Sequence, residues 1–485
     1  MFFRSCWLVA IACLLAFAFL GTRGVWDPDE GRYTNVALVM LDSGDWLSPM
    51  RNAETGHWTK PPMTYWLIAA SVATFGQNPW AARLPIALAY LLCAWCTWKM
   101  ARVFAPGREA KAALVFATML APFGASQLVT TDFPLAAAES VAMLAYASSR
   151  FGASPRSAWL LASGAAFGVA FLVKGPPGLL PLLAIAAFAW LVPSNVPGRW
   201  RWRVLAYVVG GAIALPWYVA VVMKHDGLLA YFLGAEVIDR VASDRFDRHG
   251  EWYGWLKVYL PMLLLGTLPW TGSFARWVRT WPATWRAWRS RDTRAADAPQ
   301  VLLLAWIAVP LVVFCFAQSR LPLYVLPLFV PVALGIASMQ GPAWPRWPWL
   351  ALWIAMLVGL RFGFAHLPHN KDAGAWADAI RERAVEPVHK VVFIDDTVRW
   401  GLHLHLDAHV ERRTQGPVDE PAFGRRFDGA LAGALAGAHL PQTVFVVQEA
   451  MWAEVDAHLR DQGHAPQLLG TPWRGRRFFL LRPAP

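Results

Sequence analysis

Long apolar runs dominate this chain, and short polar segments separate them. Runs of about 17 to 25 apolar residues can cross a bilayer as helices, and about eleven such runs occur. Their centres lie near Leu14, Ala89, Phe116, Ala142, Ala166, Ile185, Ile213, Leu263, Ile307, Phe329 and Ile354. The pattern predicts a polytopic α-helical membrane protein.

The polar segments between these runs alternate in character. One set is rich in Lys and Arg, as in Arg199-Trp-Arg-Trp-Arg203, and this bias marks cytoplasmic loops. The other set mixes carboxylates, histidines and basic residues, and it includes the loops at 23–79 and 224–253. We therefore expect these two loops, with amphipathic helices in them, and the C-terminal tail on the outer side of the membrane.

The hydropathy changes after about residue 365. Short apolar runs at Val391–Ile394, Thr443–Val447 and Phe478–Leu481 are typical of buried strands, and Met451–Leu459 is typical of a helix. The chain is therefore predicted to consist of a membrane domain, 1–365, and a small α/β domain, 366–485.

Composition supports the membrane class. The 485 residues are 56% hydrophobic and only 16% charged, whereas soluble proteins average about 25% charged residues. The net charge of +12 comes from Arg residues in short segments between apolar runs, which fits topology signals and anionic lipid headgroups. We expect membrane lipids and no nucleic acid as partners.

Carboxylates stand out in two of the outer segments. Asp29 and Glu30 follow the first apolar run in the motif DPDEGRY, where a raised pKa would let a carboxylate accept a proton from a sugar hydroxyl. A helix N-terminus, where acidic residues favour the dipole, explains the motif almost as well. Asp132 lies at the outer end of another run, and a charge at such a position usually belongs to a site.

Basic residues are expected on the same side of the membrane. Lys60, Arg83, Lys174 and Arg320 each lie at an outer helix end, and any one of them could snorkel to headgroups. Four together, facing the carboxylates, predict a clamp for a phosphate at the bilayer surface.

The loop 224–253 carries a dense mixture of charges. Such a segment is commonly a solvated helix with charge pairs four residues apart. Its predicted position opposite the first loop also allows Arg240 or His249 to reach a phosphate headgroup.

Histidine spacing gives no sign of a metal in this region. His57 and His249 lack the HxH or HExxH spacing of common metal sites. His403 and His405 do form an HxH pair in the C-terminal tail, where alternation along a strand is the expected explanation. We predict neither a metal nor another cofactor.

Six motifs resemble one known family. They are DPDEGRYTNVALVMLDSGDWLSP, HWTKPPMTYWLIA, ARLP, LVTTDFPL, LVKGPPGLLP and SRLPLYVLP. In this order they resemble the bacterial aminoarabinose transferases, polytopic glycosyltransferases of the GT-C class, which also includes the protein O-mannosyltransferases. The resemblance does not cover the C-terminal domain.

The resemblance implies a GT-C-like fold and an inverting glycosyltransferase at the periplasmic face of the bacterial inner membrane. The implied donor is a polyprenyl-phosphate-linked sugar, such as 4-amino-4-deoxy-L-arabinose, and the implied acceptor is lipid A or a related envelope glycolipid. A protein O-mannosyltransferase using polyprenyl-phosphate mannose is the alternative. A lipid-linked sugar transporter is less favoured, because we find no two-fold repeat.

The resemblance also assigns roles to individual residues. Asp29, with Glu30 beside it, corresponds to the acidic residue of the first loop that is implicated in catalysis, and Asp132 is its outer partner. Lys60 would contact the carrier phosphate, and Arg320 and Tyr324 would belong to the same site.

Two positions depart from the family pattern. Family members often have an acidic residue before the first-loop lysine, and here it is Thr59. This change removes a possible metal ligand. The last motif has Arg320 where many relatives have lysine, which keeps the charge, although Arg and Lys hold phosphate differently.

Overall fold

The computed structural model describes residues 2–151, 156–193, 199–238, 249–339, 346–384, 386–418, 420–436 and 440–483. These ranges are mostly helical. The α-helices are α1 (Phe2–Phe17), α2 (Asp29–Ser43), α3 (Met63–Phe75), α4 (Pro79–Phe104), α5 (Glu109–Thr118), α6 (Leu120–Ala125), α7 (Asp132–Phe151), α8 (Trp159–Lys174), α9 (Leu180–Leu191), α10 (Arg199–Lys224), α11 (Leu228–Tyr231), α12 (Gly254–Gly266), α13 (Thr271–Ala287), α14 (Arg291–Ala296), α15 (Ala298–Phe316), α16 (Phe329–Ser338), α17 (Trp347–His366), α18 (Ala373–Arg381), α19 (Leu402–Leu406), α20 (Leu431–Leu435) and α21 (Trp452–Asp461).

Shorter helical segments and six strands complete the secondary structure. The 3-10 helices are Pro176–Leu179, Pro322–Leu328, Leu440–Gln442 and Glu449–Met451, and Phe232–Ile238 is a π-helix. The strands are β1 (Lys390–Ile394), β2 (His409–Thr414), β3 (Gly429–Ala430), β4 (Thr443–Gln448), β5 (His464–Leu468) and β6 (Arg476–Pro483).

Every predicted span centre falls within one of these helices. Among the described residues, four helices are long and apolar enough by themselves to cross a membrane: α4, α10, α15 and α17. Proline or a short break interrupts several of the others, as between α5 and α6. Membrane helices tolerate such interruptions where neighbouring helices satisfy the freed backbone groups.

The chain divides by its contacts into two compact units. Unit 1 comprises residues 1–18, 60–63 and 85–362, and unit 2 comprises 19–59, 64–84 and 363–485. Unit 2 therefore combines most of the first loop with the C-terminal region. The domain bounds predicted from hydropathy, 1–365 and 366–485, stay a prediction.

In unit 1, small residues bring α8 and α10 close together. A Cβ atom on Gly164 would collide with the carbonyl oxygen of Ala206, and one on Gly168 would lie 2.6 Å from the carbonyl oxygen of Gly210. Both helices thus carry small residues four positions apart, the spacing that lets membrane helices approach closely. This contact fixes α8, whose last residue is Lys174.

Unit 2 contains a six-stranded sheet with the order β3-β2-β1-β4-β6-β5. The first four strands are parallel, and β6 and β5 are antiparallel. Val391 and Phe393 belong to the core on one face, whereas Val392 and Ile394 belong to the core on the other. The continuous apolar run of β1 therefore reflects burial on both faces, as expected for a central parallel strand.

Four elements predicted for this region are confirmed as β1, β4, β6 and α21. The expectation for the HxH pair is wrong, because His403 and His405 lie on the short helix α19. Strands β2, β3 and β5 were not predicted.

Buried polar contacts join the first loop to the sheet within unit 2. Arg51 donates from Nε and Nη2 to Asp428 Oδ1 at 2.8 and 2.6 Å, and both side chains are buried. Backbone pairing adds to this, since Asp27 N donates to Lys371 O at 2.9 Å. The first loop is thus an integral part of unit 2.

Candidate active site

Unit 1 contains a buried ion pair between two residues predicted for the site. Lys174 Nζ lies 2.5 Å from Asp132 Oδ1, and the two side chains are only 8% and 10% exposed. An ion pair so far from water has little solvent screening. The structure therefore brings one predicted catalytic carboxylate and one predicted phosphate ligand into direct contact.

The charged groups of this ion pair each lie at the end of a helix. Asp132 is the first residue of α7 and Lys174 is the last residue of α8, so each charge complements the dipole of its own helix. Gly175 follows with φ of 70° and ends α8. A left-handed residue of this kind costs least as glycine.

The predicted residue Tyr324 and the segment that begins with Lys60 lie near this ion pair. Lys174 Nζ is 4.5 Å from the ring centroid of Tyr324, in a cation–π arrangement. Met63 packs against a cluster that includes Leu135 of α7 and Val173 of α8. The segment from Lys60 to Met63 therefore runs beside the same two helices.

Arg320 is buried and holds backbone atoms. It donates through Nη1 to the carbonyl oxygens of His249 and Glu251, the latter at 2.8 Å, and through Nη2 to Cys315 O at 2.9 Å. These contacts favour a role in holding the loop over direct binding of a phosphate. His249 meets Arg320 through its backbone carbonyl, and Arg240 lies outside the described residues.

In unit 2, Glu30 and Arg83 are partners of each other. Glu30 accepts hydrogen bonds from Arg23 at 2.6 Å and from Arg83 at 3.1 Å, and all three residues are buried. Arg83 Nη1 also donates to the carbonyl oxygens of Leu20 and Arg23. These contacts favour a structural role over the catalytic and phosphate-binding roles predicted for Glu30 and Arg83.

Opposing effects act on the pKa of Glu30. Burial by itself would raise this pKa, but the positive charges of Arg83 and Arg23 outweigh burial and lower it from 4.5 to about 2. Glu30 is therefore ionised in the folded protein at every physiological pH.

Asp29 differs from its neighbour Glu30 in its exposure to solvent. Its side chain is 61% exposed and pairs with Arg32, one helical turn along α2, at 2.5 Å. The partly dehydrated environment predicted for the adjacent carboxylates thus applies to Glu30 and not to Asp29. Asp29 remains accessible to a reactant from solvent.

Asp27 is a buried carboxylate that sequence reasoning missed. It is 1% exposed, and Gly401 N donates to its two oxygens at 3.2 and 3.3 Å. Burial raises the pKa of Asp27 from 3.8 to about 8, although the Gly401 N–H and the charge of Arg399 act in the opposite direction. The motif DPDE contains this residue, but only the fold reveals the partner at Gly401.

None of the predicted site residues is part of a potential metal-binding group in the described part of the chain. The one such group found there consists of Asp42, His403 and His409, all in unit 2.

Residues 59–223 match the family model described as dolichyl-phosphate-mannose-protein mannosyltransferase. The chain is 31% identical over 382 residues to the undecaprenyl phosphate-α-4-amino-4-deoxy-L-arabinose arabinosyl transferase of Aeromonas hydrophila, covering 74% of this chain and 67% of that relative. It is 31% identical over 340 residues to the enzyme of the same name from Aeromonas salmonicida, covering 68% and 59%. The chain thus spans less than two thirds of the length of the second relative.

The fold is also that of a solved structure. The crystal structure of ArnT from Cupriavidus metallidurans bound to undecaprenyl phosphate matches with a TM-score of 0.76 at 22% identity, over 98% of this chain and 97% of that chain. The predicted class, a GT-C-like, mostly helical fold with a C-terminal sheet, is confirmed. The number of membrane spans stays a prediction.

Proposed function

The chain belongs to the family of bacterial undecaprenyl phosphate-α-4-amino-4-deoxy-L-arabinose arabinosyl transferases, multi-pass membrane proteins, and on this basis we propose that it is a glycosyltransferase. The proposed donor is 4-amino-4-deoxy-L-arabinose linked to a polyprenyl phosphate. The proposed acceptor is lipid A or a related envelope glycolipid. We place the reaction at the periplasmic face of the inner membrane, in a protein with about eleven membrane spans.

The ion pair of Asp132 and Lys174 is the observation that carries this proposal. Buried charges are costly in a membrane protein, and they usually belong to a functional site. An ammonium group has three N–H donors, and Asp132 occupies one of those on Lys174. The remaining donors suit the oxygens of a carrier phosphate, and the ring of Tyr324 adds to the stabilisation of the ammonium.

The proposed reaction breaks the bond between the sugar C1 and the phosphate oxygen. The acceptor oxygen forms the new bond to C1, with inversion, and the polyprenyl phosphate leaves with the electron pair. Lys174 and Lys60 stabilise the negative charge that develops on this phosphate.

Asp29 has one of two roles, depending on the acceptor. With a hydroxyl acceptor, Asp29 accepts its proton. With a phosphate of lipid A, which is already anionic, no base is needed, and Asp29 orients the substrate. The exposure of Asp29 is compatible with either role.

We assign positioning roles to three other residues. Arg320 holds the backbone of residues 249–251, whereas Glu30 and Arg83 hold the start of the first loop. In this assignment, none of the three contacts the reacting atoms.

A protein O-mannosyltransferase is the second candidate, and the family model matched by residues 59–223 favours it. The two candidates differ in the acceptor, which is a glycolipid in the first and a protein hydroxyl in the second. Analysis of the products therefore distinguishes them.

The first experiment is mass spectrometry of lipid A and envelope glycolipids from cells with and without the protein. Loss of a sugar-sized mass in the deletion strain, restored by wild type and not by Asp29→Asn or Lys174→Ala, supports the proposal. Lys371→Ala is the matched control, because its side chain is exposed and it should restore the product. Unchanged glycolipids with altered periplasmic glycoproteins would favour the second candidate, and no change in either would refute both.

A further inference from the structure

Three side chains of unit 2 that have no part in the proposed transfer converge on one point. Asp42 lies in the last turn of α2, His403 lies on α19, and His409 begins β2. One ligand atom from each lies within 4.8 Å of the other two. His403 is buried, whereas Asp42 and His409 are exposed, so the group is open to solvent on one side.

The hydrogen bonds of Asn35 show which ring nitrogen of His403 carries a proton. Asn35 Nδ2 donates to the carbonyl oxygen of Arg51 at 2.7 Å, so its Oδ1 must be the atom 2.8 Å from His403 Nδ1. A carboxamide oxygen only accepts, and His403 Nδ1 therefore carries a proton. In the neutral imidazole, the lone pair of Nε2 then points away from Asn35, toward Asp42.

His403 Nε2 lies 3.1 Å from Asp42 Oδ2. A lone pair and a carboxylate oxygen repel each other unless a second proton or a metal cation lies between them. With a second proton, His403 and Asp42 would form an ion pair, which involves only these two groups. The ring of His409, with its centroid 5.5 Å from that of His403, supplies a third donor, as a metal ion requires.

We propose that Asp42, His403 and His409 bind one divalent transition metal ion, with Zn²⁺ as the best match. Two imidazoles and a carboxylate are common zinc ligands. Zinc bonds of about 2.0–2.1 Å in tetrahedral geometry separate neighbouring ligand atoms by roughly 3.3 Å, close to the 3.1 Å between Nε2 and Oδ2. Asn35 orients His403 in the manner of an outer-shell partner.

The metal would connect the first loop to the α/β region inside unit 2. Asp42 lies in the last turn of α2, whose first residue is Asp29, so the ion would anchor the far end of the helix that carries Asp29. The site is independent of the sugar transfer, because none of its ligands is assigned to that reaction. Zinc binding can therefore be tested without any assay of activity.

Isothermal titration of ZnCl₂ into untagged, full-length protein in detergent, after removal of metal with EDTA, tests the proposal. We expect one Zn²⁺ per chain. Asp42→Ala and His409→Ala, which change exposed side chains, should each weaken binding by about 10-fold or more, and Asn35→Ala by roughly 10- to 100-fold. His458→Ala is the matched control, because His458 lies outside the group, and it should bind Zn²⁺ like the wild type.

Thermal unfolding provides a second readout. Zn²⁺ should raise the Tm of the wild type and of His458→Ala but leave the Tm of Asp42→Ala unchanged, since a ligand stabilises only the state that binds it. The proposal is overturned if the wild type binds no Zn²⁺ at about 100 µM. It is equally overturned if Asp42→Ala and His409→Ala bind Zn²⁺ as tightly as the wild type.

Discussion

The substitution Glu30→Gln tests whether Glu30, in the first loop, has a structural role or a catalytic one. It keeps the shape of the side chain but removes the charge that Arg23 and Arg83 surround. The two buried guanidinium groups then lose the negative charge of Glu30, and removing one partner of a buried ion pair is strongly destabilising. We expect the variant to be less stable, and its activity to fall only as far as its folding does.

The pKa of Glu30 provides the magnitude. It falls from 4.5 to about 2 on folding, and each tenfold change in proton affinity corresponds to ~1.4 kcal/mol, so the ionised carboxylate contributes ~3 kcal/mol. The side chain is only 3% exposed, so solvent screening reduces this value little. At ~2–4 °C per kcal/mol for a unit of this size, the Tm should fall by ~6–12 °C.

The assay is thermal unfolding of purified protein in one detergent at pH 7, followed by tryptophan fluorescence. Asp29→Asn is the matched control, since it makes the same change at the adjacent, exposed residue and should melt within ~2 °C of the wild type. Because folding depresses the pKa of Glu30, its contribution is complete above pH 4.5 and is lost as the pH falls toward 2. The difference in Tm between the wild type and Glu30→Gln should therefore become smaller as the pH falls. Equal melting temperatures for Glu30→Gln and Asp29→Asn at pH 7 would refute this reasoning.

Three further predictions concern other buried ionisable groups. Asp27 stays protonated in the folded protein up to about pH 8 but ionises near pH 3.8 in the unfolded chain, so stability should decline as the pH rises between these values. From pH 5 to 8, the Tm of Asp27→Asn should therefore fall less than that of the wild type. An equal fall in both proteins would contradict this prediction. Arg51→Ala should cost ~3–5 kcal/mol, because it removes the cation that pairs with the buried carboxylate of Asp428. Lys257→Ala, in an exposed ion pair, should leave the stability nearly unchanged, as measured by chemical or thermal unfolding. Lys174→Met should lower the Tm more than the double variant Asp132→Asn/Lys174→Met, because the second change removes the unpaired charge; additive losses would contradict the pairing.

The sequence predicted those strands that are hydrophobic on both faces. Strands β1 and β4 are continuous apolar runs, and their burial follows from that pattern. Strand β2 was missed because it reads as polar, although Glu411 and Arg413 are buried there and paired with each other at 2.8 Å. Hydropathy cannot distinguish a solvated charge from one that has a partner inside the fold.

In the candidate site, too, the sequence pattern identifies charged residues but not their partners. Asp132 and Lys174 were recognised as charges at the ends of apolar runs, and the structure joins them. Arg83 has the same sequence signature, but its partner is Glu30, 53 residues earlier. The burial of Asp27 depends on Gly401, 374 residues away. No local pattern carries such information, because it arises only when distant segments pack together.

The ion pair between Arg51 and Asp428 has a consequence for biosynthesis. These two residues are separated by 377 positions, and a ribosome adding about 5–20 residues per second needs roughly 20–75 s to make that stretch. Throughout that time the first loop has left the ribosome without the sheet on which it packs. The nascent loop must therefore remain unfolded or be protected by a chaperone until the last quarter of the chain appears. A truncated chain that lacks the sheet would keep this loop exposed, as a target for quality-control proteases.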